Sequence, residues 1–238
     1  MRDDGESFNG APIKSVGYSE EYVSHTIDLT KIASCSVDEL EKISGEMMID
    51  KAGTYDKADV YINDVGVSLK STYGANSALI NHTARPGFER VCSEVGADIG
   101  VLDGIIDRYW ELRLSGEIPE DIQNWNPKSP FREYKEYFRP ILEYFLFTGT
   151  GTRASKHPAD YIIEFADPLD PKEWKVVSKE TAIDEIWDNL VFSMRSKKGM
   201  PPNYTLDYNG KNASSIARWV RLCDGDYKGA LHVRIKVN

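Results

Sequence analysis

Cysteine is scarce in this 238-residue chain. Cys35, Cys92 and Cys223 are odd in number, far apart and without a C-x-x-C pair, which argues against a disulfide framework and a cysteine zinc site. Histidine is nearly as sparse: His25, His82, His157 and His232 show no H-E-x-x-H or paired spacing, so a zinc hydrolase of that kind is excluded. The glycine-rich loop Gly149–Arg153 lacks the G-K-[ST] ending of a phosphate-binding P-loop, and no G-x-S-x-G nucleophile elbow occurs. No window approaches the roughly 18 consecutive apolar residues of a membrane span. The first ten residues, MRDDGESFNG, carry no apolar signal core, so the expectation is a cytoplasmic protein with no membrane partner. Repeats and low-complexity tracts are missing too, and the length is read as a single domain, 1–238, with one substantial core.

Positive charge is in deficit overall, with 29 Lys and Arg against 38 Asp and Glu and a formal net charge of −9. The deficit is uneven. From residue 191 onward nine basic residues meet three acidic ones, which leaves 20 basic and 35 acidic residues before it. That asymmetry is at odds with a protein that simply coats a polyanion and suits one basic face on an acidic body.

Periodicity supplies the elements. Ser36 and Glu39 form a capping box ahead of Val37, Leu40, Ile43 and Met47, predicting a helix to about Ala52 with Glu46 on its polar face. From Ala58 the period becomes two, and the chain reads as a hairpin over about 58–70 with Asn63 to Gly66 as a four-residue turn. Helices are expected near Ser77–Val95, Asp98–Leu114 and Ser129–Phe147, the last with Pro130 at its start, a break at Pro140 and an aromatic stripe assigned to the core. Strands follow at Tyr161–Phe165, Trp174–Val177 and Leu190–Met194, with a helix over Lys179–Asn189. A final strand puts His232, Arg234 and Lys236 on one face. This order predicts an α/β or α+β fold with a mixed central sheet flanked by helices.

A four-residue turn would set Asp59 opposite Lys70, an acid and an amine side by side on rigid strands. The two strands read K-A-D-V-Y-I and G-V-S-L-K-S, and this pattern resembles the PD-(D/E)XK nuclease superfamily, in particular small type II restriction endonucleases. The resemblance implies a restriction-endonuclease-like fold and Mg²⁺-dependent hydrolysis of double-stranded DNA at a short specific sequence, by a monomer or homodimer. Asp59 matches the motif's Asp, Lys70 its Lys, and Ala58 stands where the motif has Pro. Ser68 is the departure, because it occupies the acidic position. Asp59, the Leu69 carbonyl and Glu46 from the preceding helix would then hold Mg²⁺, while Lys70 orients the attacking water.

The resemblance extends to Ser77–Arg85, which supplies Asn81 and Arg85, and to a basic DNA-reading half over about 148–238. The loop Thr148–His157 contributes Arg153 and Lys156 to it. Further DNA-binding candidates are Arg195, Lys197, Lys198, Asn203, Lys211, Asn212 and Arg218. A rival match lies downstream, where Asp160 is followed by Glu173-Trp174-Lys175, although Asp167, Pro168, Asp170 and Pro171 place Glu173 in a loop. An alternative from another class is a non-catalytic binding or scaffold protein in which Asp59 and Lys70 make an ordinary surface ion pair.

Overall fold

The computed structural model describes residues 7–14, 16–17, 34–46, 55–71, 78–167, 170–196 and 213–236. In chain order these hold β1 (Ser7–Phe8), β2 (Ala11–Pro12), β3 (Val16–Gly17), α1 (Val37–Glu46), β4 (Val60–Ile62), β5 (Val65–Ser71) and β6 (Ala78–Ala84). Then come α2 (Arg85–Val95), α3 (Ile99–Leu114), β7 (Ile122–Gln123), α4 (Lys135–Glu143), β8 (Tyr161–Phe165), β9 (Lys175–Ser178) and α5 (Ala182–Ile186). The chain closes with β10 (Leu190–Arg195), α6 (Ala213–Ala217), β11 (Arg221–Cys223), β12 (Asp226–Lys228) and β13 (Ala230–Ile235). The fold is α+β, in two compact units: Met1–Ala75 with Leu146–Gly149 and Arg153–Ala182, and Asn76–Phe145 with Thr150–Thr152 and Ile183–Asn238.

The first unit is built on a five-stranded mixed sheet in the order β3-β4-β5-β8-β9. Only β5 and β8 are parallel, and such a pair needs a long crossover. Alternation decides what each face buries. Val67 and Leu69 of β5 join Ile62, Ile163 and Phe8 in one apolar cluster, while Ile162 and Val177 pack with Phe147, Ala159 and Ala182 in another. The capping box forms as the sequence predicts: Ser36 N–H donates to Glu39 Oε2 at 2.8 Å, and Glu39 N–H donates back to Ser36 Oγ at 3.4 Å.

The second unit carries an antiparallel sheet in the order β6-β13-β10-β7. Its core is aromatic, with Phe88, Phe131, Phe138, Phe192 and Trp219 fully buried and Phe131 stacked on Phe192 at 4.1 Å. The helix expected over Ser77–Val95 is in fact a strand followed by a helix. β6 pairs with β13 and buries Ile80, and α2 begins only at Arg85, where Pro86 suits a first turn. Likewise α4 runs through Pro140, and the expected break comes after Glu143 in a π-helical turn over Tyr144–Thr148. Asp98 caps α3, accepting from Gly100 N–H at 2.8 Å.

His82 interrupts β6 with φ of 41°, and its ring meets His232 edge-on at 4.9 Å. Burial first, then the Arg195 charge, holds His82 below the ordinary imidazole value of 6.5, although a backbone hydrogen bond at Ser196 opposes this. Burial likewise depresses His232, helped by His82, Arg195 and Arg234 and opposed by Asp121. A base depressed by folding leaves stability intact above the unfolded value of 6.5 and lowers it as pH falls from there toward the folded value. Calorimetric melting temperatures should therefore drop as pH falls below 6.5, and a His82→Phe, His232→Phe double variant should flatten that drop. An unchanged slope in the double variant would remove these histidines as its cause.

Candidate functional site

The turn between β4 and β5 fixes the register. Asn63 and Asp64 both take positive φ, 50° and 67°, giving the two-residue turn that matches strand twist. Asn63 is tied down further, since its Oδ1 accepts from Lys14 N–H at 2.7 Å and its Nδ2 donates to the Pro12 carbonyl at 2.9 Å. Val60 therefore pairs with Val67, Tyr61 with Gly66 and Ile62 with Val65. This corrects the expected four-residue turn and with it the direct opposition of Asp59 and Lys70.

The shift brings Asp59 level with Ser68 and Leu69 instead. Its Oδ2 accepts from the Leu69 N–H at 2.7 Å and the Ser68 hydroxyl at 3.1 Å, while Asp59 N–H donates to the Val67 carbonyl at 2.8 Å. Oδ1 has no hydrogen-bond partner among the described residues. The carboxylate is thus aimed by the strand beside it, with one oxygen left open.

The segment 155–160 buttresses this arrangement from within the same unit. The His157 carbonyl accepts from both Lys57 N–H (3.0 Å) and Ala58 N–H (2.9 Å), and Asp160 N–H donates to the Gly66 carbonyl at 2.7 Å. His157 Nδ1 and the Tyr61 hydroxyl lie 3.1 Å apart. Gly66 is required by close approach and not by the turn. A Cβ there would collide with the Pro158 carbonyl oxygen and press on Ala58 Cβ at 3.2 Å. Gly66→Ala should accordingly cost about 1–3 kcal/mol of stability, read as a lower urea midpoint. A midpoint equal to that of the wild type would show that the segment yields.

Two residues apart on one strand, Ser68 and Lys70 share a face. Lys70 is in register with Glu164 of β8, and Glu164 in turn with Lys175 of β9, so these three side chains form a row across that face. Among the described residues neither Lys70 nor Glu164 forms an ion pair or side-chain hydrogen bond. The surface ion pair of the alternative reading is not made between Asp59 and Lys70. Lys57 lies within electrostatic reach of both. Burial, and next the Lys70 charge, pushes its ammonium down to about 8 against the opposing pull of Asp59.

Glu46 ends α1 in an exposed i,i+4 pair with Lys42 at 3.9 Å, and no contact joins it to Asp59 among the described residues. Of the rival set, Glu173 sits in a 3₁₀ turn over Pro171–Glu173 outside β9, as the prolines imply, and Lys175 belongs to the row just described. Among the described residues no three His, Cys, Asp or Glu side chains converge as a metal cluster.

The expected DNA contacts divide sharply. Lys156 and Asn81 are exposed, and the Arg153 guanidinium lies 3.6 Å from the Tyr55 ring centroid. Three arginines, by contrast, are ion-paired within the second unit, Arg85 largely buried, Arg195 part exposed and Arg218 exposed. Arg85 grips Asp103, Arg195 reaches Asp121 and Glu120, and Arg218 pairs with Asp107. In this structure these three arginines are engaged by the acidic residues of their own unit. Lys197, Lys198, Asn203, Lys211 and Asn212 lie outside the described residues.

Neither Glu164 nor Lys57 is singled out as a site residue by the sequence pattern. The signal for Glu164 was present, as the one charged residue in the apolar strand Y-I-I-E-F, but only the parallel pairing puts it beside Lys70. Among the described residues no helix is long and apolar enough to cross a membrane. No protein-family model, curated protein or solved structure matches this chain.

Proposed function

We propose that the Ser68–Lys70 face is the active site of a Mg²⁺-dependent endonuclease that hydrolyses double-stranded DNA, as the resemblance to type II restriction enzymes implies. The observation that carries this reading is the aimed carboxylate of Asp59, with Oδ1 unengaged and Lys70 unpaired nearby among the described residues. An ion pair kept for stability would close on itself, and this one does not.

Asp59 and the Leu69 carbonyl would hold the metal, which suits an ion that binds through one or two carboxylates plus substrate phosphate and retains several waters. When bound, Mg²⁺ supplies charge neutralisation at the phosphate. Lys70 holds the attacking water by donating a hydrogen bond to its oxygen, and its charge stabilises the oxyanions that develop on phosphorus. Lys57, whose charge is felt by Asp59 and Lys70, adds to the positive potential of the site. Ser68, only 1% exposed, keeps Asp59 in its rotamer and makes no direct contact with substrate. Exposed Lys156 and the Arg153–Tyr55 pair offer phosphate and stacking contacts beside the 155–160 segment.

Plasmid DNA incubated with the protein should yield discrete fragments with Mg²⁺ and remain intact with EDTA. A smear would retain the nuclease and discard its sequence specificity. Intact DNA in both arms would overturn the proposal.

A further inference from the structure

We infer that Glu164 is the second metal-binding carboxylate of this site, filling on β8 the role that Ser68 leaves vacant on β5. The inference rests on the nuclease reading above and deepens it.

A half-buried carboxylate gives up hydration and normally recovers it through partners. Glu164 has Lys70 in register on one side and Lys175 on the other, yet it forms no ion pair or side-chain hydrogen bond among the described residues. It stands open on the same face as the unpaired Lys70. Ser68 cannot serve in its stead, because its hydroxyl is buried and donates to Asp59 Oδ2. The other acids considered are placed elsewhere, Glu46 on an exposed helix against Lys42 and Glu173 in a turn.

Strand geometry puts Glu164 within reach. It is one strand across from Ser68 and two residues further along, since Ser68 pairs with Ile162. Asp59 is level with Ser68 on the other side of β5, so Glu164 lies two strands across from it. With strands about 4.8 Å apart and a rise of about 3.3 Å per residue, their Cα atoms are roughly 12 Å apart. The two side chains reach a common ion across that gap with a water completing one of the contacts, and Mg²⁺ characteristically keeps waters between itself and part of its ligand set. An all-oxygen pair of Asp59 and Glu164 suits hard ions such as Mg²⁺ or Mn²⁺.

The test uses the full chain and Mn²⁺ alone as probe, with free ion measured by electron paramagnetic resonance. Wild type should bind Mn²⁺. Glu164→Gln should weaken binding about tenfold or more, the loss expected when a supporting metal contact is removed. Glu164→Asp, which keeps the charge, should retain measurable binding, and all variants should melt with wild type. Equal Mn²⁺ affinity in Glu164→Gln and wild type would overturn the inference. If Asp59→Asn then lost Mn²⁺ binding and cleavage while Glu164→Gln kept both, the nuclease reading would stand without Glu164. A wild-type protein that neither binds Mn²⁺ nor cuts plasmid would overturn both.

Discussion

Asp59→Asn should abolish Mg²⁺-dependent plasmid cleavage, by about a thousandfold or more, while leaving the melting temperature nearly unchanged. The two halves of this expectation have separate causes. Asparagine keeps an oxygen that accepts from the Leu69 N–H and the Ser68 hydroxyl, the two bonds that fix the side chain, so the strand edge survives. What it loses is charge, and with it the ligand for a hard dication. A thousandfold loss corresponds to about 4 kcal/mol of transition-state stabilisation, well within what a metal supplies. Lys70→Ala should reduce cleavage by about a hundredfold to a thousandfold, the usual cost of removing one preorganised group aimed at developing charge. Its effect on stability should stay within about 0.5 kcal/mol, as for an exposed residue that anchors nothing. Cleavage rates and melting curves on the same preparations check both halves. Undiminished cutting by either variant would refute the site.

Legibility in the sequence followed the range of the interactions involved. Local signals read true: the Ser36–Glu39 box, the helix near Asp98–Leu114, the strand Tyr161–Phe165 and the aromatic core of α4 are all present. Each is decided within a few residues, by a cap bond or a side-chain period. The strand β6 misread as helix because its seven residues, A-L-I-N-H-T-A, lack strict alternation and are made a strand by pairing with β13, nearly 150 positions away. The hairpin is the instructive case. Type and order single out Asp59, Ser68 and Lys70, but their register depends on whether Asn63 and Asp64 both adopt the left-handed region, and a two-residue change in turn length moves the acid from opposite Lys70 to opposite Ser68, where it accepts from the Leu69 N–H. Glu164 stayed hidden for the complementary reason. A parallel neighbour is set by a crossover of some 90 residues, and no local pattern encodes which strand will lie alongside.

The largest stability effect should come from Asp103→Ala, in the second unit. Asp103 is 9% exposed and accepts from Arg85 Nε and Nη2, each at 2.8 Å, and from Trp219 Nε1 at 2.7 Å. Burial alone would raise this carboxyl, but the hydrogen bonds from Arg85 and Trp219 outweigh it and hold the group below its ordinary value. A depressed acid contributes stability that is present above the unfolded value of 3.8 and lost as pH falls through the folded one. Removing it at neutral pH leaves a guanidinium whose side chain is 13% exposed with only Glu89 at 3.3 Å and the Ser215 hydroxyl at 2.7 Å, strands the indole N–H, and should cost about 3 kcal/mol. At this chain length that lowers the melting temperature by roughly 10 °C. Adding Arg85→Met to Asp103→Leu should recover much of the loss, because the penalty lies mainly in a buried guanidinium left with only the half-exposed Glu89 for a counter-charge. Thermal unfolding of the single and double variants decides it, and a single-variant loss below about 1 kcal/mol would mean the pair is solvated and weak. The same double variant bears on DNA binding. If Arg85 serves only as an anchor for α2 against α3, DNA affinity and its salt dependence should match wild type once stability is restored, whereas a shallower salt slope would return Arg85 to the DNA-contacting set.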